Sequence, residues 1–167
     1  MATPYDVLKS IPIFSTVLGD EQITALASRL GVTQFARGAV LMRQGEMGTS
    51  MFAIMKGAAE VSVHVAGGKE SVATLGPGDL VGEISLMTGA YRNATVTATK
   101  ALTALEIGKP ALQSLLSESP DLFSRFAGVI EQRQAELNRI RKSAAHWESV
   151  GLDRHAIENL MRSFYKS

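Results

Sequence analysis

The chain has 167 residues, enough for one domain with its own core and a small appendage. Seventeen basic against sixteen acidic residues leave a net charge of +1, which excludes nucleic-acid binding through bulk charge and an acidic disordered tail. There is no cysteine, so disulfides, thiolate metal sites, cysteine nucleophiles and thiolate-held iron–sulfur clusters are excluded too.

Residues 1–31 read as an N-terminal helical segment. Asp20 is placed to cap a helix that carries Ile23, Leu26, Ala27 and Leu30, with Gly31 as its stop. Upstream, Ile11, Ile13, Phe14 and Val17 form a second apolar cluster around Pro12. Residues 32–108 read as β structure punctuated by glycines from Gly38 to Gly89. Val61, Val63 and Val65 alternate with Ser62 and His64, the pattern of a half-buried strand. Gly67-Gly68 is expected to turn the chain into a second strand from Ser71 to Leu75. Many short strands at close spacing predict a rolled antiparallel sheet rather than a parallel α/β one.

Residues 109–146 read as helices. Lys109-Pro110 opens a short one through Leu115 and Leu116, and Ser119-Pro120-Asp121 starts a long one with proline in its first turn. The long helix carries an apolar stripe of Phe123, Phe126, Ile130, Leu137 and Ile140, which Arg133 and Gln134 interrupt one turn beyond Ile130. The stripe can pack on its own barrel or pair with a second copy as a homo-oligomer. Residues 147–167 read as a short tail with a last helix from about Asp153 to Phe164. The fold class is α+β: a β-roll, jelly-roll-like and antiparallel, flanked by N-terminal and C-terminal helices. No run approaches the roughly 18 apolar residues of a membrane span. The first ten residues lack the basic start and apolar run of a signal peptide. The chain therefore reads as soluble and cytoplasmic.

The densest chemistry runs from Gly76 through Pro77-Gly78-Asp79-Leu80-Val81 to Gly82-Glu83-Ile84-Ser85-Leu86, and then to Arg92-Asn93-Ala94-Thr95-Val96. A short helix of Glu83 to Met87 fits between Gly82 and Gly89. Its N–H groups would offer an anion seat, Gly82 would let the anion come close, and Arg92 would add a forked cation. Glu83 would repel that anion unless it points away and accepts hydrogen bonds from a neighbouring hydroxyl. An anion on one side and a hydroxyl on the other describe a ribose phosphate. Residue types alone favour a plainer reading: a turn, a helical bridge and an edge-strand arginine paired with a carboxylate.

This segment resembles the phosphate-binding cassette of the cyclic nucleotide-binding domain family. Catabolite activator proteins, regulatory subunits of cyclic AMP-dependent kinases and cyclic nucleotide-regulated channels belong to that family. Gly38-Ala39-Val40-Leu41, Gln44-Gly45-Glu46 and Met51-Phe52-Ala53-Ile54-Met55-Lys56-Gly57 resemble the family's early strands and turns. The likeness runs from about Ile11 to Leu137, with the cassette at residues 76–96.

The resemblance implies a binding module, not an enzyme, with no metal or cofactor and with cAMP or else cGMP as ligand. By position, Glu83 would hold the ribose 2′-hydroxyl and Arg92 the cyclic phosphate, with N–H groups of Ile84 and Ser85 on the same phosphate beside Gly82. Val61 and Val81 would line the pocket near ribose and base. Asn93 stands where the family usually has a small residue or a threonine, which leaves base selectivity open. Arg133 matches an arginine that stacks on the base from the lid helix of bacterial potassium channels.

After residue 146 the chain is too short for a winged helix-turn-helix, so direct nucleic-acid binding is not expected. The expected context is the cytoplasmic sensor of a bacterial inner-membrane ion channel, a potassium channel or one resembling mechanosensitive channels of small conductance. This chain would be a part of it without a membrane span of its own. The alternatives are a stand-alone or transcription-regulator-type sensor and a cupin-type metalloenzyme. Cupin chemistry needs clustered histidines. The β region offers only His64, with His146 and His155 far along the chain.

Overall fold

The computed structural model describes residues 3–82, 86, 91–92, 94–140, 158–159, 161–162 and 165; for Val65 and residues 133–140 the description is of the backbone alone. Three short helices come first: α1 (Pro4–Lys9), α2 (Pro12–Ser15) and α3 (Asp20–Ala27). Proline opens α1 and α2, where its missing N–H costs nothing. Thr3 caps α1, its hydroxyl accepting from the Asp6 N–H at 3.2 Å while the Asp6 carboxylate accepts from the Thr3 N–H at 3.1 Å.

The cap of α3 differs from the sequence expectation. Gly19 holds the N-cap position, and its N–H donates to the Gln22 side chain at 3.0 Å. Asp20 is the first helical residue. Its carboxylate accepts from Lys9 and, at 3.0 Å, from the Tyr5 hydroxyl, which ties α3 to α1. That partnership, invisible locally, takes the carboxylate away from capping. Nor does Gly31 stop the helix, which ends at Ala27; Gly31 opens the first strand.

Eight strands follow: β1 (Gly31–Phe35), β2 (Val40–Met42), β3 (Ser50–Lys56), β4 (Ala59–Val65), β5 (Gly68–Leu75), β6 (Leu80–Val81), β7 (Thr95–Ala98) and β8 (Leu102–Gly108). They form two four-stranded sheets, ordered β1-β8-β3-β6 and β2-β7-β4-β5, with every pairing antiparallel. The β4–β5 hairpin turns one residue earlier than expected. Val65 pairs with Gly68, so Ala66-Gly67 forms the two-residue loop, with Gly67 at φ +99°.

The two sheets enclose an apolar interior of Phe52, Ile54, Val61, Val63, Val96, Ala98, Leu102 and Ala104. The outer face of the first sheet carries a second core under the helices. Odd-numbered Met51, Ala53, Leu105 and Ile107 face it, while even-numbered neighbours on the same strands face the sandwich.

Helix α4 (Lys109–Glu118) follows β8 with no intervening residue. Helix α5 (Leu122–Ile140) starts two residues after Pro120, because Pro120 and Asp121 make the turn into it. Leu112, Leu116, Phe126 and Ile130 of these helices meet Leu8, Ile11, Phe14, Ile23 and Leu26 of the N-terminal ones. Phe14 and Phe126 pack edge to face, with centroids 6.4 Å apart. Segments far apart in sequence thus form one helical layer against the first sheet.

Candidate functional site

Strand β6 delivers the chain to Gly82, which adopts φ +85°. Two constraints demand glycine there. The left-handed backbone disfavours any side chain. A Cβ would also collide with the guanidinium of Arg92 and stand 2.9 Å from Cε of Met42. Past Gly82, the Leu86 N–H donates to the Gly82 carbonyl at 3.1 Å. Leu86 is fully buried in the helix-side core.

Arg92 reaches the same carbonyl from the other side. Its Nη1 donates to Gly82 O at 3.1 Å and its Nη2 to the carbonyl of Ser50 on β3. Its backbone is fixed too: the Arg92 N–H donates to Glu46 O and its carbonyl accepts from the Gly45 N–H, both at 2.7 Å. Gly48 leaves room for the guanidinium, since a Cβ there would run into it. Three segments therefore converge on one side chain: the loop between β2 and β3, the start of β3, and the end of β6. The residue is only 8% exposed. Burying a cation is unfavourable unless acceptors surround it, and the two carbonyls supply them. Five N–H donors in a rigid fork suit such a cation to phosphate recognition.

A cavity of about 210 Å³ opens beside Arg92, with Met42, Arg43, Glu46, Ser50 and Phe52 in its wall. Met42 and Phe52 belong to the sandwich interior, so the wall is apolar on one side and polar on the other. Met47 and Tyr91, joined by an isolated β-bridge, are both well exposed nearby.

Of the residues singled out from the sequence, Gly82 and Arg92 are brought into direct contact. Val61 and Val81 are buried in the same apolar cluster as Met42 and Phe52, but neither lines this cavity. Glu83, Ile84, Ser85 and Asn93 lie outside the described residues, as does the side chain of Arg133, whose backbone continues α5 beyond Ile130. Sequence reasoning did not find Ser50 or Gly48 as partners of Arg92. Gln44-Gly45-Glu46 marked their loop, but nothing local shows that its carbonyls point at a residue over forty positions on. Among the described residues no three His, Cys, Asp or Glu side chains group as metal ligands. Among them, no helix is long and apolar enough to cross a membrane.

Residues 32–119 match the family model of the cyclic nucleotide-binding domain. The chain is 36% identical over 116 residues to a cAMP-dependent protein kinase regulatory subunit of Schizosaccharomyces pombe, covering 70% of this chain and 27% of that protein. It is 28% identical over 130 residues to a cyclic nucleotide-gated potassium channel of Mesorhizobium japonicum, covering 78% of this chain and 35% of the channel. The chain thus spans about a quarter to a third of these two relatives. Among solved structures, the N-terminal domain of a transcriptional regulator from Streptomyces coelicolor superposes with a TM-score of 0.68 at 29% identity, over 80% of this chain and 96% of that domain. With the family model matching more than half of its length, the chain belongs to the cyclic nucleotide-binding domain family.

Proposed function

We propose that this chain is a non-catalytic sensor that binds cAMP in preference to cGMP, and that binding repositions helix α5 to signal to an effector. The observation that carries the reading is Arg92, buried and aimed by the carbonyls of Gly82 and Ser50 beside a positive-φ glycine. A cyclic phosphate has one negative charge, and one oriented guanidinium with a helical turn suffices to seat it. In this reading Arg92 takes the phosphate together with the N–H groups of Ile84 and Ser85. Glu83 takes the ribose hydroxyl, and Arg133 stacks on the base. The effector is the pore of a bacterial channel and the sensor sits in the cytoplasm, a context supported by the potassium-channel relative.

Calorimetric titration of the protein with cAMP and cGMP tests this. Binding is expected for the wild type, and Arg92→Ala should abolish most of it. Equal affinity in both proteins would overturn the assignment of Arg92.

The second reading is a transcription-regulator-type sensor, favoured by the near-complete coverage of the Streptomyces domain. The encoding gene separates the two: apolar spans of about 20 residues upstream fit a channel, and a DNA-reading module downstream fits a regulator.

A further inference from the structure

The C-terminal segment returns to the cassette. The Tyr165 hydroxyl donates to the Leu86 carbonyl at 2.6 Å, across 79 positions. Tyr165 is buried, its own N–H donates to Met161 O at 2.9 Å, and Met161 is fully buried in the helix-side core. The ring stands edge-on to Phe123 near the start of α5, with centroids 6.4 Å apart, and Lys109 Nζ lies 5.8 Å above it at the start of α4. Arg162 covers the Phe123 ring at 4.8 Å and pairs with Glu158. One aromatic residue thus lies against Leu86 and the first turns of both C-terminal helices.

These contacts link into a ring that passes through Arg92. Leu86 accepts from Tyr165 through its carbonyl and donates through its N–H to Gly82 O. Gly82 O also receives Arg92, whose other nitrogen reaches Ser50 O. Next to Ser50, Thr49 O accepts from the Lys109 N–H at 3.1 Å, and Lys109 leads back to Tyr165. The Tyr165 hydroxyl therefore holds Leu86, whose own N–H reaches Gly82 O, and in the cyclic-nucleotide reading the residues between these two carry the N–H groups assigned to the phosphate.

We propose that Tyr165 is a positioning residue that fastens the C-terminal segment to the cassette, so that ligand binding beside Arg92 and docking of this segment reinforce each other. The proposal rests on the cyclic-nucleotide reading above. Holding the turn in its hydrogen-bonded geometry before the ligand arrives lowers the ordering cost of binding. Reciprocity then requires the ligand to hold the segment in place by the same factor.

The test uses the full chain, with cAMP as probe. Tyr165→Phe keeps the ring and removes only the hydroxyl. It is expected to weaken cAMP binding by about three- to tenfold, the range that a single buried hydrogen bond supports. A purely structural tyrosine would lower the unfolding temperature and leave the affinity of the folded protein unchanged. The second arm needs no variant: saturating cAMP should slow hydrogen exchange at the Tyr165 amide of the wild type several-fold. Equal affinities of wild type and Tyr165→Phe, or exchange at Tyr165 that cAMP does not alter, would overturn the coupling alone. A wild type that binds no cyclic nucleotide would overturn the functional reading and the coupling with it.

Discussion

The carbonyl of Gly82 accepts two hydrogen bonds of the same length, 3.1 Å, one from Nη1 of Arg92 and one from the N–H of Leu86. A carbonyl has two lone pairs, and both are committed here. The arginine and Leu86 therefore share a single anchor point. Displacing either strains the other's bond, so the guanidinium and the Leu86 backbone are positioned together.

Arg92→Lys keeps the charge and loses the fork. An ammonium on a flexible stem cannot reach Gly82 O and Ser50 O in the geometry of a planar guanidinium. The expected result is a loss of cyclic-nucleotide affinity of at least about tenfold with the fold retained, as hydrogen bonds to charged groups contribute about 1.5–3 kcal/mol each. Calorimetry with a circular-dichroism control measures both. Affinity equal to the wild type would mean that charge alone does the binding.

Two glycines with nearly the same backbone should respond differently to alanine. Gly78 has φ +91° with open space around its Cα, so Gly78→Ala carries backbone strain of about 1 kcal/mol and nothing else. Gly82 has φ +85° and faces Arg92 and Met42, so Gly82→Ala adds a collision to the same strain. Denaturant titration should find Gly82→Ala the more destabilised of the two, and only this variant should lose ligand affinity. Matching behaviour would place Gly82 outside the site.

Phe126→Ala should remove about 3–5 kcal/mol of stability, because the ring is fully buried between Phe14 and the rest of the helical layer. The expected readout is a drop in thermal midpoint well beyond that of a surface change such as Lys56→Ala. A small drop would show that the helices contribute little to holding the barrel.

Burial pushes the Tyr165 hydroxyl well above its ordinary value of 10.0. The unfolded chain then releases this proton at lower pH than the fold does. Stability from the buried phenol is complete below about pH 10 and falls as pH rises toward the higher folded value. Urea midpoints measured from about pH 8 to 11 should fall more steeply for the wild type than for Tyr165→Phe, whereas parallel curves would argue against a buried hydroxyl.

Much of this fold was legible where the periodicity was clean. The alternation at Val61 and Val63 identified β4, and Lys109-Pro110 located α4 to the residue. Strand β3 was harder, because Met51, Phe52, Ala53 and Ile54 are all buried and alternation vanishes when both faces are covered. The cap of α3 was misread because Asp20 answers to Lys9 and Tyr5, eleven and fifteen residues away. At the site, Gly82 and Arg92 carried a residue-type signal, a glycine turn and a cation at cassette spacing. Ser50 and Gly48 carried none, since one contributes only a carbonyl and the other only the lack of a side chain.

Helix α4 begins on the residue after β8 ends, and the Lys109 N–H is pinned to Thr49 O. There is no slack between barrel and helices at this joint. Relative to the sheet, the start of the C-terminal helices is fixed at Gly108. Any angular change beside the barrel would grow with distance from this joint, and the far end of α5, nineteen residues long, would travel furthest. The first residue of the C-terminal helices is thus tied to the neighbour of Ser50, whose carbonyl holds Arg92.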